Sequence, residues 1–345
     1  MAPCREEERM NDTTGKIRFG TVGTGNITHK FLMASLNCEG FALAAVCSRD
    51  AQRGAALAEE YGAPRVFTSI EEMASDDSVD AVYIASPNAF HFPQAKRFLE
   101  SGKHVLLEKP FTSNAAEAEE LFRIADGHGV MLAEAIRSAA MPGFLAIREH
   151  MHKLGRIHGV YSAKCQYSSR YDSFREGSIA NAFRPELSNG ALMDIGRYAA
   201  CPVVGLFGEP ERIMASAHFL HTGVDAFGTA LLSYGEAEAV LMYSKVSDSE
   251  LPFEIQGENG ILTAEDVYEF RNARISYRDG SAEDIAPLQE ELPMSYEIKE
   301  FLKCVRTGSL ESELLSRKQT LQSMRVMDEI RRQTGLSYPA DRERL

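Results

Sequence analysis

One stretch constrains this chain more than any other: Ile17-Arg-Phe-Gly-Thr-Val-Gly23-Thr24-Gly25-Asn26-Ile27-Thr28. An apolar run of strand length leads straight into closely spaced glycines, and a helical pattern follows from Asn26 to Leu36. Gly23 permits a tight turn, Gly25 lets backbone approach a pyrophosphate, and the helix N-terminus favours the negative charge. Thr28 stands where a Gly or Ala is usual. A Gly-x-Gly alone is weak; at the end of a first strand inside a β-α-β alternation it marks a dinucleotide site.

The alternation continues through strands at Phe41–Cys47, Ala81–Ala85, His104–Leu107 and Val130–Ala133, with helices at Ala51–Tyr61, Phe92–Ser101 and Ala115–Ala125. These strands are near-continuous apolar runs, as burial on both faces requires. They predict an α/β Rossmann domain with a doubly wound parallel sheet over residues 16–136. Beyond residue 136 the texture changes. Helices at Pro142–Leu154 and Ala191–Phe207 are followed by alternating, strand-like segments from Ile213 to Tyr277, then by helices near Tyr296–Arg306 and Arg317–Gln333. An α+β domain with a mostly antiparallel sheet is expected over 137–345. One face of that sheet is free to meet another copy, so a homodimer or homotetramer is expected.

The 345 residues suit two domains. A net charge of −13 argues against a partner made of phosphates, so no nucleic-acid binding is expected. The six cysteines are scattered without metal-type spacing and read as reduced thiols. Residues 1–15 are polar and read as a flexible tail, and no stretch reaches the ~20 apolar residues of a membrane span. The expectation is a cytoplasmic protein without membrane contact. Neither His150-x-His152 nor His218-x-x-His221 has the companions of a zinc site, and no metal is expected.

The tip of the second strand reads Cys47-Ser48-Arg49-Asp50. A carboxylate there would hold a ribose 2′-hydroxyl and repel a 2′-phosphate. Ser48 occupies that position and Arg49 follows, which favours NADP; Asp50, one step on, keeps NAD open. Ser86-Pro87-Asn88 and His91 follow the next long strand and are expected to border the cofactor. The strand at His104 ends in Glu108-Lys109-Pro110. A Glu-Lys pair closing a buried strand needs partners, and Pro110 restricts Lys109, so Lys109 is expected at the crevice near the nicotinamide.

These motifs, continued by Asn189-Gly-Ala-Leu-Met-Asp194-Ile-Gly196-Arg197-Tyr198, resemble the Gfo/Idh/MocA oxidoreductase family from about Lys16 to Gly335. The resemblance implies that Glu108 and Lys109 contact the nicotinamide end, that Lys109 is catalytic, and that Asp194 and Tyr198 work beside it. Tyr198, where many members carry His, resembles the NADP-preferring branch of glucose–fructose oxidoreductase and dimeric dihydrodiol dehydrogenase. That branch's aromatic and arginine side chains are missing from Glu134-Ala-Ile-Arg137-Ser-Ala-Ala, so its substrate does not transfer.

The residues agree with the resemblance. Asp194 and Tyr198 are four apart after Ser188-Asn189, a natural helix cap, and share one face. Oxidising an alcohol or reducing a carbonyl moves hydride at carbon and a proton at oxygen. A phenol on the substrate oxygen, with an ammonium lowering its pKa, handles the proton. Tyr198 and Lys109 fit those roles, with Asp194 orienting a substrate hydroxyl or Lys109. Arg197 means either that the substrate is anionic or that Arg197 faces away, and the second is expected. Arg170 and Asn181, on the loop before Asp194, are expected substrate contacts. A sugar-like or polyol substrate is expected. The alternative, a non-catalytic dinucleotide sensor, has no need of Lys109 and Tyr198 together.

Overall fold

A computed structural model describes residues 15–342. The expected tail over 1–15 therefore lies, apart from Gly15, outside the described residues. Six strands form the first sheet: β1 (Ile17–Val22), β2 (Phe41–Cys47), β3 (Arg65–Phe67), β4 (Ala81–Ile84), β5 (His104–Glu108) and β6 (Leu132–Ala135). Their order is β3-β2-β1-β4-β5-β6 and every pairing is parallel. The expected doubly wound Rossmann sheet is present. Its order reverses between β1 and β4, so the carboxyl ends at Val22 and Ile84 open the crevice where ligands bind. The short edge strand β3 carries exposed Arg65 and Val66 and lacks the apolar run that marks its neighbours. β6 lies two residues beyond the expected range.

The second sheet holds β7 (Ile157–Cys165), β8 (Arg212–Phe219), β9 (Asp225–Tyr234), β10 (Ala237–Ser244), β11 (Phe253–Gly257), β12 (Gly260–Ala264), β13 (Arg274–Tyr277) and β14 (Ala282–Asp284). The order is β14-β13-β12-β11-β7-β10-β9-β8, antiparallel except where β7 and β10 run side by side. The inner face buries Val160, Ser162, Ala239, Leu241 and Tyr243, with the Ser162 hydroxyl donating to the Ala199 carbonyl at 2.7 Å. On the opposite face Met214, Leu231, Val240 and Tyr161 stand in one register across four strands.

The helix expected over Ala191–Phe207 has two parts, a π-helical turn Leu192–Gly196 and an α-helix Arg197–Phe207. Its expected cap is also corrected. Ser188 is left-handed (φ 54°), and the Leu192 amide is held at 2.7 Å by the carboxylate of Asp225, from β9. Gly190, at φ 145°, has no room for a Cβ, which would lie 2.0 Å from Asp225 Oδ1. The glycine is what lets the turn dock on β9.

Two helices tie the sheets together. Helix Ser295–Thr307 sets Phe301 against Phe19 of β1 at 5.8 Å between ring centroids, and helix Arg317–Thr334 packs on Arg197–Phe207 and β8. Beside them a fully buried ion pair joins Glu134 of β6 to Arg197, with the Thr320 hydroxyl donating to the same carboxylate. Arg197 thus faces away from the crevice, as expected. The five described cysteines are buried and unpaired. No described helix is long and apolar enough to cross a membrane.

Candidate active site

Two adjoining cavities open along the crevice. The first, about 520 Å³, runs from the β1 turn (Gly23, Thr24, Gly25) past the β2 tip (Ser48, Arg49, Asp50) to Ser86 and Pro87. Gly23 is at φ 104°, and a Cβ there would sit 2.7 Å from the Ala85 carbonyl. A Cβ on Gly25 would meet nothing within 4 Å, so the space above it is clear for a ligand. The helix Asn26–Ser35 begins at Gly25 with no side-chain cap, leaving its first amides for an anion. These features fit a dinucleotide pyrophosphate. Asn26 lies on the exposed side of that turn, outside the lining of both cavities, and Ile27 lines the second.

At the β2 tip the carboxylate of Asp50 accepts from the amides of Gln52 and Arg53 and so caps helix Ala51–Tyr61. Its Oδ1 takes both amides, and its Oδ2 lies 3.5 Å from the Arg53 guanidinium. Arg49 lies over Phe90, its Cζ 5.5 Å from the ring centroid, and Arg53 lines the same end. Two guanidinium groups and the Ser48 hydroxyl suit a 2′-phosphate, and the carboxylate at this tip is turned to the helix amides and to Arg53.

The second cavity, about 640 Å³, holds the catalytic candidates. Glu108 ends β5 and is buried, accepting from the Tyr83 hydroxyl at 2.6 Å and the Lys109 amide at 3.1 Å. The Lys109–Pro110 peptide is cis. Lys109 Nζ donates to the Asp194 carbonyl at 2.7 Å and to its carboxylate at 3.0 Å. The other carboxylate oxygen takes the ammonium of Lys245, a buried residue just after β10 that sequence reasoning missed. Period-two alternation carries the inward positions 239, 241 and 243 on to 245, which is the signal that would have found it.

Burial alone would favour the neutral form of both groups. The Asp194 charge outweighs it and holds Lys109 above its ordinary range, while Lys109 and Lys245 hold Asp194 well below its own. Tyr198 lies beside them, Lys109 Nζ being 5.0 Å from its ring centroid. Burial raises the phenol's pKa, and the opposing pull of Lys109 and Arg137 does not cancel that rise. The ammonium does pull the phenol toward ionisation, as expected, but burial, which the sequence did not reveal, outweighs it, and Tyr198 stays protonated at neutral pH.

Other expected residues take different places. Both His91 ring nitrogens lie 2.9 Å from backbone carbonyls, of Pro110 and Ser86. His91 thus fastens the loops after β4 and β5, and burial lowers its pKa against those two carbonyls. The Asn88 amide donates to the Ser188 carbonyl at 2.8 Å and to Asn189 at 3.0 Å, clamping the loop before the π-helical turn. Arg170 and Asn181, expected on the substrate, line the first cavity instead. Glu297, Arg137, Lys164 and Tyr268 line the second and went unassigned at the sequence level, because distant segments bring them together. Among the described residues no group of three or more His, Cys, Asp or Glu is placed to hold a metal ion.

Residues 17–136 match the oxidoreductase family with an NAD-binding Rossmann fold, GFO/IDH/MocA, and residues 145–263 match the GFO/IDH/MocA C-terminal domain. The chain is 46% identical to a scyllo-inositol 2-dehydrogenase (NADP(+)) of Bacillus subtilis over 325 residues, 94% of this chain and 99% of that protein. It is 28% identical to mouse trans-1,2-dihydrobenzene-1,2-diol dehydrogenase, over 94% and 99% of the two chains. In fold it is similar to a 3-ketoreductase from Actinomadura kijaniata solved with NADP and TDP-benzene, with a TM-score of 0.82, 24% identity, and coverage of 92% and 98%. Motifs, sheet order and these matches agree: the chain belongs to the Gfo/Idh/MocA family of oxidoreductases.

Proposed function

We propose that this protein is an NADP-dependent dehydrogenase that interconverts a secondary alcohol and a carbonyl on a sugar-like or cyclic polyol substrate. The observation that carries the reading is Lys109, held between the Asp194 carboxylate and the Tyr198 ring in the second cavity. NADP bound along the first cavity supplies the hydride acceptor or donor. Lys109 remains an ammonium and is aimed at the oxygen of the reacting carbon. Tyr198 gives that oxygen its proton in reduction and takes it in oxidation, and Asp194, itself held ionised by Lys245, keeps Lys109 charged and in place. Such acid–base help is worth on the order of 10²–10⁴ in rate. The relative at 46% identity is named for scyllo-inositol and NADP, which supports both cofactor and substrate class. A dinucleotide sensor would need no Lys109–Asp194–Tyr198 cluster, and nothing at the site favours that reading.

The residues are taken to divide into a cofactor domain over 16–136 and a substrate and assembly domain over 137–345. The open sheet face, with Met214, Phe227 and Ile261 exposed, supports pairing with a second copy. A cytoplasmic location is consistent with the unpaired buried cysteines. The test is reduction of NADP⁺, followed by absorbance, with a panel of inositols, aldoses and ketoses. Turnover with at least one cyclic polyol or sugar is expected; NADPH binding without turnover on the whole panel contradicts the reading.

A further inference from the structure

The second cavity also holds an ammonium with no hydrogen-bond or ion-pair partner among the described residues. Lys164, on the inward side of β7, places its ammonium 4.1 Å from the centroid of the Tyr268 ring. It is half-buried and makes no hydrogen bond or ion pair to any described residue. The neighbouring charges are already engaged. Asp266 accepts from the amides of Tyr268, Glu269 and Phe270, and Glu269 pairs with Arg271 at 2.7 Å and Arg137 at 3.7 Å. Asp194 serves Lys109 and Lys245. Glu297 is buried with one carboxylate oxygen unpartnered, and burial together with nearby Glu108 raises its pKa well above the ordinary value, so it brings no counter-charge. Burial lowers the pKa of Lys164, and the nearby Asp266 carboxylate, opposed by Arg137, does not restore it.

Tyr268 also carries the Arg137 guanidinium, 4.9 Å from its centroid, and stands edge-on to Tyr198 at 6.2 Å. Tyr198 and Tyr268 thus stand in contact, the first beside the Lys109 ammonium and the second beside that of Lys164.

We propose that Lys164, with Arg137 across the Tyr268 ring, is a subsite for an anionic group on the substrate, a carboxylate or phosphate remote from the carbon that is oxidised. The inference rests on the dehydrogenase reading above and narrows it to acidic sugars or cyclic polyols. A neutral hydroxyl would replace one water on the ammonium and leave its charge unanswered, whereas an anion pairs with Lys164 and is further favoured by the positive charge of Arg137 nearby.

The test measures affinity, by quenching of NADPH fluorescence in the enzyme–NADPH complex at fixed ionic strength. It uses matched pairs: glucose with glucuronate, galactose with galacturonate, and myo-inositol with inositol 1-phosphate. At least one acid is expected to bind about tenfold or more tightly than its neutral partner, and the uronates and the phosphate separate the two sources of charge. K164M is expected to bring that ratio to within about twofold while K164R keeps most of it. K164Q and NADPH binding by each variant guard against a folding defect. A ratio near one for every pair in the native protein, or a ratio untouched by K164M and K164Q, overturns the proposal. Loss of NADP⁺ turnover on all compounds would defeat the dehydrogenase reading alone, because the affinity ratio still decides this one.

Discussion

Asp50 and Asp194 are both acids beside a cofactor crevice, and their partners give them opposite jobs. Asp50 is spent on two backbone amides, so it caps a helix and leaves the β2 tip to Ser48 and Arg49. Asp50→Ala should lower stability by ~1 kcal/mol, the usual worth of such a cap, and leave the NADP-to-NAD preference nearly unchanged. Arg49→Ala should weaken NADPH by about tenfold or more and NADH much less. Dissociation constants for both cofactors check the pair; equal weakening by Arg49→Ala contradicts the 2′-phosphate assignment. Asp194, by contrast, is shared by two ammonium groups that keep it ionised. Tyr198 supplies a pH signature. Because burial lifts its pKa, the phenolate that accepts a proton becomes commoner as pH rises, so oxidation should accelerate from pH 7 toward the alkaline range. Reduction needs the phenol and should stay flat there. A pH–rate profile for oxidation that peaks below neutrality would contradict this assignment.

The π-helical turn Leu192–Gly196 is the element that aims Asp194 and Tyr198, and Asp225 anchors it from β9. Burial raises the Asp225 carboxyl from an ordinary 3.8 to about 6, against the pull of the Leu192 amide. A folded value above the unfolded one means that its stabilising contribution is complete below the ordinary value and is lost as pH climbs through the folded one. Asp225→Asn keeps an acceptor and carries no charge. Relative to the native protein it should gain on the order of 3 kcal/mol between about pH 4 and pH 7, measured by denaturant unfolding at both values. A difference that does not change with pH contradicts the argument. This anchor was not legible in the sequence, where Ser188-Asn189 looked like a cap: a cap from a strand some thirty residues downstream leaves no local signature. The Rossmann elements were legible because apolar runs and glycine turns are local, and Glu108-Lys109-Pro110 stood out as charge closing a buried strand. Asp194 and Tyr198 were visible by their spacing. Lys164, Tyr268 and Glu297 were not, since only tertiary packing brings β7, the turn before β13 and helix Ser295–Thr307 to one cavity.

At the scale of the whole molecule, the site exists because two sheets are held in one relation. Glu134 and Arg197 form part of that hold, and both side chains are fully buried. Removing one partner leaves a buried unpaired charge, so Glu134→Ala should cost about 3–5 kcal/mol of stability. The double variant Glu134→Leu with Arg197→Met should cost less than the single ones together. Thermal or denaturant unfolding of Glu134→Leu, Arg197→Met and the double variant checks this, and strict additivity contradicts it. The open face of the second sheet has its own test. Val240→Glu, in the apolar row between Leu231 and Tyr161, should turn an assembled protein into monomers by sedimentation, whereas an unchanged assembly would remove this face from the interface. The decisive measurement concerns the meeting of the two domains over the reacting carbon. Single-turnover hydride transfer and NADPH affinity should be measured for Lys109→Met and Tyr198→Phe, with the polyol or sugar that the native enzyme turns over best. Each variant should lose about 10²-fold or more in the transfer rate and keep its NADPH affinity within about threefold. Transfer at the native rate in both variants would show that the Lys109–Asp194–Tyr198 cluster is not the catalyst.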